Sequence, residues 1–513
     1  MKQKLIKALG IIAVVISTLL ITSCFLIPEQ EHIHTPKDPL RENYIEPTCT
    51  SPGCFDEVVF CSTCNEEFKR ETKQLPKSAH YVEDGRCIVC NRTETLGLEY
   101  EFNEPTQFTP GYYTLVGIGT CTDNDIIIPM HHDGVLISKI AESAFANNDK
   151  ITSISIQSNI KTVANYLFKG SPALSSVFLG EGVKSIGLGA FSYCTALDSI
   201  TLPSSLEHID NDVFNSSSSM RKANFLGSPN QWCKIYFADP WSHPSHGSCE
   251  LYFNGEALTD IKLEEGLDEI KAYAFYNCKN LKTVSLPNSL QKIDGFAFTN
   301  CNSIELNEYD NALYIGNSEN PYLMLFKVKD ASVSSCKINE ATKFINDSAF
   351  YKCTNLTSLA LPEGLLGIGF NCFDSCKSLT EITIPKNVTY VENYAFSYSG
   401  LKTVTFNAEN CSYAYSIFSH TGYDNGGLDV IIGAGVLKIP PYMFTHSGGG
   451  TKSANINSIT FEENSQCVEI SRSAFKDCPQ PFNVYFNGTQ EQWNKILIDT
   501  NNDPLLSSNF NFK

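Results

Sequence analysis

Along Ile270 to Pro287, IKAYAFYNCKNLKTVSLP, apolar and polar positions follow two rhythms. Leu281, Val284 and Leu286 alternate with Thr283 and Ser285, the period of a strand with one buried face. Pro287 stops the strand because its φ is fixed and it has no N–H to donate. The return segment supplies Leu290, Ile293, Ala297 and Phe298, too few apolar groups to close a core alone. The same pattern recurs: Phe145, Phe168, Phe191 and Phe214, then Phe275 and Phe298, then Phe350, Phe373 and Phe396, each run stepping by 23 residues. A unit that cannot bury its own inward face must lean on the next one, which predicts a stack of short parallel strands joined by short helical turns, an α/β solenoid. About a dozen such units fit.

A fixed step in the twenties matches a leucine-rich repeat. The consensus I-x-x-x-A-F-x-x-C-x-x-L-x-x-I-x-L-P, with Ala274-Phe275 and Leu286-Pro287 as its signatures, resembles the BspA-like leucine-rich repeats of bacterial and some protist surface proteins, over residues 97–513. The resemblance implies a non-enzymatic surface protein of the kind implicated in adhesion to host matrix or to other cells. Gly97 to Phe145, with Tyr112, Val116 and Ile126 to Pro129, is expected to cap the first unit.

Upstream the pattern changes. Lys2, Lys4 and Lys7 precede an apolar run from Ala8 to Ile21, the charged and apolar regions of an export signal over residues 1–23. The run is short for a membrane span. Its ending, Leu20 to Cys24 (LITSC), resembles the lipobox of bacterial lipoproteins. That resemblance implies cleavage before Cys24, lipidation of Cys24, and a chain anchored in the bacterial cell envelope and facing outward. Residues 24–46 are rich in Pro and charge without apolar period and read as a tether. The net charge of −18 argues against nucleic-acid binding, which needs a basic footprint.

Residues 47–95 hold the densest cysteines: Cys49, Cys54, Cys61-x-x-Cys64 and Cys87-x-x-Cys90, with His80 between the knuckles. Two C-x-x-C knuckles look like a zinc ribbon, with Cys61, Cys64, Cys87 and Cys90 as ligands of a structural zinc, although their separation slightly exceeds the usual range. Four such ligands close the ion's coordination and leave no catalytic position. Disulfides are the alternative in an exported chain, and Cys49, Cys54 and His80 leave the ligand set open.

Two breaks interrupt the repeats, at about 226–262 and 303–340. The first begins FLGSPNQWCKI and the chain's last segment has FNGTQEQWNKI, so Trp232 and Trp493 are copies of one element and are assigned to packing. Trp241 has no counterpart and is the candidate ligand contact, since Trp is over-represented among interface hot spots. His243, His246 and Cys249 read as a loop. The second break, with Tyr309, Tyr314 and Tyr322, suggests a hairpin that rejoins the array at Ile338. Insertions of this kind map to loops, often on a solenoid's binding side.

The positions alternating with the inward strand residues are mostly hydroxyl-bearing: Ser153 and Ser155, Ser199 and Thr201, Thr283 and Ser285, Thr403 and Thr405. Such a face lacks the aromatic and Arg anchors that dominate protein binding, so specific contacts are expected on the insertions. Cys194, Cys278, Cys301, Cys353, Cys376 and Cys478 each follow the repeat Phe by three residues and read as buried small apolar groups with free thiols. No Ser, His and acid constellation recurs in a motif frame, and Gly448 to Ser453 lacks the Gly-x4-Gly-Lys spacing of a phosphate loop. No catalytic residue or catalytic cofactor is expected. The expected partners are an extracellular protein or glycan, and the membrane through the lipid anchor; a structural envelope spacer and a surface glycan-active enzyme are the competing readings.

Overall fold

The computed structural model describes residues 36–37, 39–83, 86–157, 159–446, 452–479 and 481–513. The export signal, Cys24, most of the tether and the Gly448 to Gly450 loop lie outside them. The chain divides into two compact units, one ending at Lys77 and one from Ser78 to Lys513. Among the described residues no helix is long and apolar enough to cross a membrane.

In the first unit, Leu40–Ile45, Gly53–Phe60 and Glu67–Leu75 make an antiparallel sheet in that order. Phe55, Val58, Val59 and Leu75 are its buried apolar side chains. Arg70 ties the three strands on the exposed side, pairing with Glu42 at 2.8 Å, Asp56 at 3.3 Å and Glu67 at 2.7 Å. The second and third strands are joined by the knuckle Cys61 to Glu66, where Asn65 N donates to Cys61 O (3.0 Å) and Cys61 N to Glu66 O (2.8 Å).

After a two-residue pairing of Val82–Glu83 with Arg86–Cys87, the second unit forms a sheet of Glu99–Asn103, Tyr112–Gly117, Val135–Ile140 and His131–His132, and then becomes a solenoid. Three ladders join its turns. The first is parallel strands in strict register, Ser153, Ser176, Ser199, Lys222 and Glu250 standing side by side. The second is a row of two-residue strands, Thr162–Val163, Ser185–Ile186, His208–Ile209 and Tyr236–Phe237. In the third, each turn around the repeat Phe donates to the turn after it: Phe145 N to Leu167 O (3.0 Å), Phe168 N to Ala190 O (2.8 Å), Phe191 N to Val213 O (3.1 Å).

The third ladder is where helical turns were expected, and the backbone forbids them. Ser143 and Asn147, Tyr166 and Gly170, Gly189 and Tyr193, Asp212 and Ser216 all have positive φ, two left-handed residues four apart in each of these turns. A right-handed helix cannot pass through such residues. Among the described residues the helical segments are Pro229–Trp232, Gln490–Trp493, Asp503–Leu506 and the 3-10 turn Pro244–His246. Among the described residues the second unit is therefore a β-solenoid with almost no helix rather than an α/β one.

The core is a column of Phe rings. Phe145, Phe168, Phe191 and Phe214 stack at 5.1 to 6.1 Å between centroids, and Phe350, Phe373, Phe396, Phe418, Phe444 and Phe475 at 4.9 to 5.5 Å. The break at 226–262 does not leave the column. Phe214 N donates to Trp241 O (2.9 Å) as its predecessors do to Ala190 and Val213, and His243 is fully buried with its ring 4.9 Å from Phe237 and 5.7 Å from Trp232. That segment is an irregular rung in which Ser242 takes the register of the repeat Phe and the His243 and Trp232 rings are buried beside it. Trp232 and Trp493 are both buried. Each ends a four-residue helix with a reciprocal capping box, Ser228 with Gln231 and Thr489 with Gln492.

The break at 303–340 does form a hairpin. Asn307–Tyr309, Ala312–Ile315 and Met324–Val328 pair antiparallel, and Met324–Val328 then joins Phe344–Ile345 in parallel. This displaces the two-residue ladder, and a buried side chain spans the gap: Tyr390 Oη donates to Ile293 O and accepts from Ile293 N, both at 3.1 Å. Asp347 accepts from Phe370 N (2.7 Å) and Phe296 N across the same junction.

Candidate functional site

Two places concentrate chemistry. The first is at the start of the solenoid. Val82–Glu83 pairs with Arg86–Cys87, and the chain then turns through Cys87 to Arg92. Asn91 N donates to Cys87 O and Cys87 N to Arg92 O, both at 2.9 Å, with Asn91 left-handed at φ 62°. The knuckle at Cys61 in the first unit has the same bonds and Asn65 at φ 60°, and there Thr63 N also donates to Cys61 Sγ at 3.4 Å. Cys87 Sγ, Cys90 Sγ and a ring nitrogen of His80 all lie within 4.8 Å of one another, with His80 Nδ1 at 3.3 Å from Cys90 Sγ. Burial and the nearby Arg92 charge hold the His80 imidazole below its ordinary pKa. Of the four cysteines expected as zinc ligands, Cys87 and Cys90 thus meet a histidine in the second unit. Cys61 is buried and Cys64 exposed in the first.

The segment carrying this cluster lies on the strand face. Ser155 Oγ donates to His80 O at 2.6 Å, and Tyr81 packs on Phe178 at 4.7 Å. Both Ser155 and Phe178 are outward-pointing positions, yet both are buried. Arg92, paired with Asp123 and bonded to Thr95 Oγ1 at 3.0 Å, fixes the exit of the segment.

The second place is the open part of the strand face. Between the hairpin and Glu381–Ile384 the strand row lapses into a single bridge, Ser335 with Ser358. Two adjoining depressions of about 520 and 310 Å³ result, sharing Leu359, Ala360, Leu361 and Glu381. Asp310, Glu340, Glu363 and Glu381 are exposed around them against one cation, Lys337, and Thr383, Thr403 and Thr405 continue the floor. Hydrogen bonds from the backbone N–H groups of Lys337 and Asn311 hold the Asp310 carboxyl below the usual carboxylate range. Trp241, the contact candidate from sequence, is 45% exposed on its rung.

The model of the BspA-type leucine-rich repeat region matches residues 121–240, 249–319 and 325–449, more than half of the chain. This chain belongs to the BspA-type leucine-rich repeat family. No curated protein matches it. Among solved structures, this family member is similar to the pneumococcal vaccine antigen PcpA (18% identity, 82% of this chain and 98% of that one, TM-score 0.33). It is also similar to a leucine-rich cell surface protein of Faecalibacterium prausnitzii (18%, 83% and 99%, TM-score 0.29) and a leucine-rich repeat protein of Bacteroides ovatus (18%, 81% and 98%, TM-score 0.26).

The repeat cysteines are not only buried small apolar groups; in the BspA-type rungs several of them have a polar part. Cys194 Sγ donates to Phe168 O (3.1 Å), Cys301 Sγ to Phe275 O (2.9 Å) and Cys376 Sγ to Phe350 O (3.2 Å). Ser171, Ser217 and Thr421 make the same bond to Phe145, Phe191 and Phe396 at 2.7 to 2.9 Å. The signal was present in the exchange of Cys with Ser and Thr at one register, which an apolar role does not explain. These thiols are free, and burial pushes Cys194, Cys301 and Cys376 up to about 12.

Proposed function

We propose that this protein is a non-enzymatic, outward-facing surface protein of the bacterial envelope, lipid-anchored at Cys24, whose solenoid binds an extracellular protein or glycan in the open groove of its strand face. The observation that carries this reading is the groove beside the hairpin: an exposed depression with a small apolar floor at Leu359 and Leu361, a rim of carboxylates and a row of threonines. Carboxylates and hydroxyls of this kind accept and donate hydrogen bonds to a hydroxyl-rich or basic ligand, and the excess of acid over Lys337 disfavours an anionic one. The outward face of the first rungs is closed by residues 80 and 81 and offers no equivalent surface.

This moves the expected contact from the insertions to the sheet beside one of them. Removing residues 228–250 would excise a rung, so point changes are the right probe. The soluble chain from residue 25 is screened against matrix proteins, mucins and bacterial glycans, and the Glu381→Lys, Thr403→Lys pair is compared with Trp241→Ala. Saturable binding lost in the pair and kept in Trp241→Ala supports the groove. Loss with Trp241→Ala alone moves the site to that rung. A folded solenoid that binds nothing favours an envelope spacer.

A further inference from the structure

The Cys87 knuckle and His80 sit where no binding groove is, and their chemistry is that of a metal site. We propose that His80, Cys87 and Cys90 bind a zinc ion as three of its ligands, and that the ion clamps the segment of residues 78–95 onto the first rungs of the solenoid. The donors are two thiols and an imidazole, the soft and borderline groups zinc selects. In a tetrahedral site with sulfur at about 2.3 Å and nitrogen at about 2.05 Å, the S···N edge is about 3.6 Å; the His80 Nδ1 to Cys90 Sγ distance is 3.3 Å, and every pair among the three atoms is within 4.8 Å.

The backbone is arranged for the same purpose. Left-handed Asn91 folds the chain back so that both thiols of the C-x-x-C turn face one side. His80 is held independently, its carbonyl accepting from Ser155 on the solenoid. Two of the donors therefore come from the knuckle and the third from a residue docked on the strand face, so an ion joining them ties the knuckle to the sheet. Binding at such a site stabilises only the docked arrangement, which makes the ion a structural element.

The test uses the full chain purified without added metal, titrated with zinc and, for spectroscopy, with cobalt(II). Expected are one ion bound per chain in this site, a tetrahedral cobalt spectrum with thiolate charge transfer, and affinity lower by roughly 100-fold or more in His80→Ala and in Cys90→Ser, since loss of a ligand should exceed loss of an outer partner. His80→Cys should keep the ion while strengthening the thiolate charge-transfer band, an outcome that a misfolded or merely packing residue would not produce. Chelation should raise hydrogen exchange across residues 78–95 and at Phe178 and leave the later rungs unchanged. Retention of the ion by His80→Ala together with its loss in Cys61→Ser and Cys64→Ser would overturn the assignment in favour of the two-knuckle ligand set. A Cys87–Cys90 disulfide in protein isolated from its native envelope would overturn it as well.

Discussion

At the scale of single residues, several rungs carry, three positions after the repeat Phe, a hydrogen-bond donor to the Phe carbonyl of the preceding rung. The carbonyl of the preceding rung's Phe is buried, and an unpaired buried acceptor costs about 1–3 kcal/mol. Cys194→Ala should therefore lose about 1–2 kcal/mol of stability in denaturant unfolding, whereas Cys194→Ser, which copies Ser171 and Ser217, should lose less. Equal losses would show that the thiol acts by volume alone. Gly367 is a second such position. A Cβ there would stand inside the buried Tyr390 ring that bridges the second break. Gly367→Ala should cost about 1–3 kcal/mol by overpacking, and more if the bonds of Tyr390 to Ile293 are broken; an unchanged melting temperature would contradict that packing. His243 carries a pH signature. Burial takes its pKa from 6.5 down to about 3, so the unfolded chain binds a proton that the folded one does not between those values. Its contribution is intact above pH 6.5 and is lost as the pH falls toward 3, at up to about 1.4 kcal/mol per pH unit. The stability gap between the native chain and His243→Gln, read from urea unfolding at pH 7, 6, 5 and 4, should shrink on acidification.

At the scale of elements, the rung is a strand, a two-residue strand and a turn with two left-handed residues. A left-handed non-glycine residue costs about 1–2 kcal/mol. Tyr166, Tyr193 and Tyr394 accept that cost because the turn they make hands its N–H groups to the next rung and sets the Phe on the column. Phe373 stacks on Phe350 at 5.0 Å and on Phe396 at 5.2 Å, so Phe373→Ala opens a cavity shared by three rungs. A loss of about 3–5 kcal/mol is expected, with hydrogen exchange rising in both neighbouring rungs. Confinement of the effect to one rung would mean that the column does not couple them. The junction at the second break behaves oppositely to His243. Burial raises Asp347 to about 6 and Glu392 to about 7. Folded carboxyls with raised pKa values favour the folded state most at low pH, and that advantage declines as the pH rises from about 4 through 6 to 7.

At the scale of the whole chain, the 23-residue step of Phe, Ala-Phe and Leu-Pro determined the repeat, its parallel stacking and its inward residues, because stacked identical units can bury that pattern in only one way. The sequence also showed both tryptophan copies as packing groups, since a Trp recurring in a repeated frame must meet the same neighbours twice. It did not show that the turns are left-handed rather than helical: Asn147, Gly170 and Gly189 tolerate positive φ, but Ser143, Tyr166 and Tyr193 at the equivalent positions announce none, and only the ladder to the next rung makes that backbone worth its cost. It read residues 226–262 as an excursion, because nothing in the spacing says that Trp241 and Ser242 continue the turn ladder; that is decided by the bond from Phe214 N to Trp241 O. It marked Cys87 and Cys90 by their spacing and left His80 open, whereas their meeting within 4.8 Å depends on a hairpin and on the bond of Ser155 to the His80 carbonyl. The groove is tertiary in the same sense. It exists where the strand row lapses between the hairpin and Glu381, and no local pattern records the absence of a neighbour.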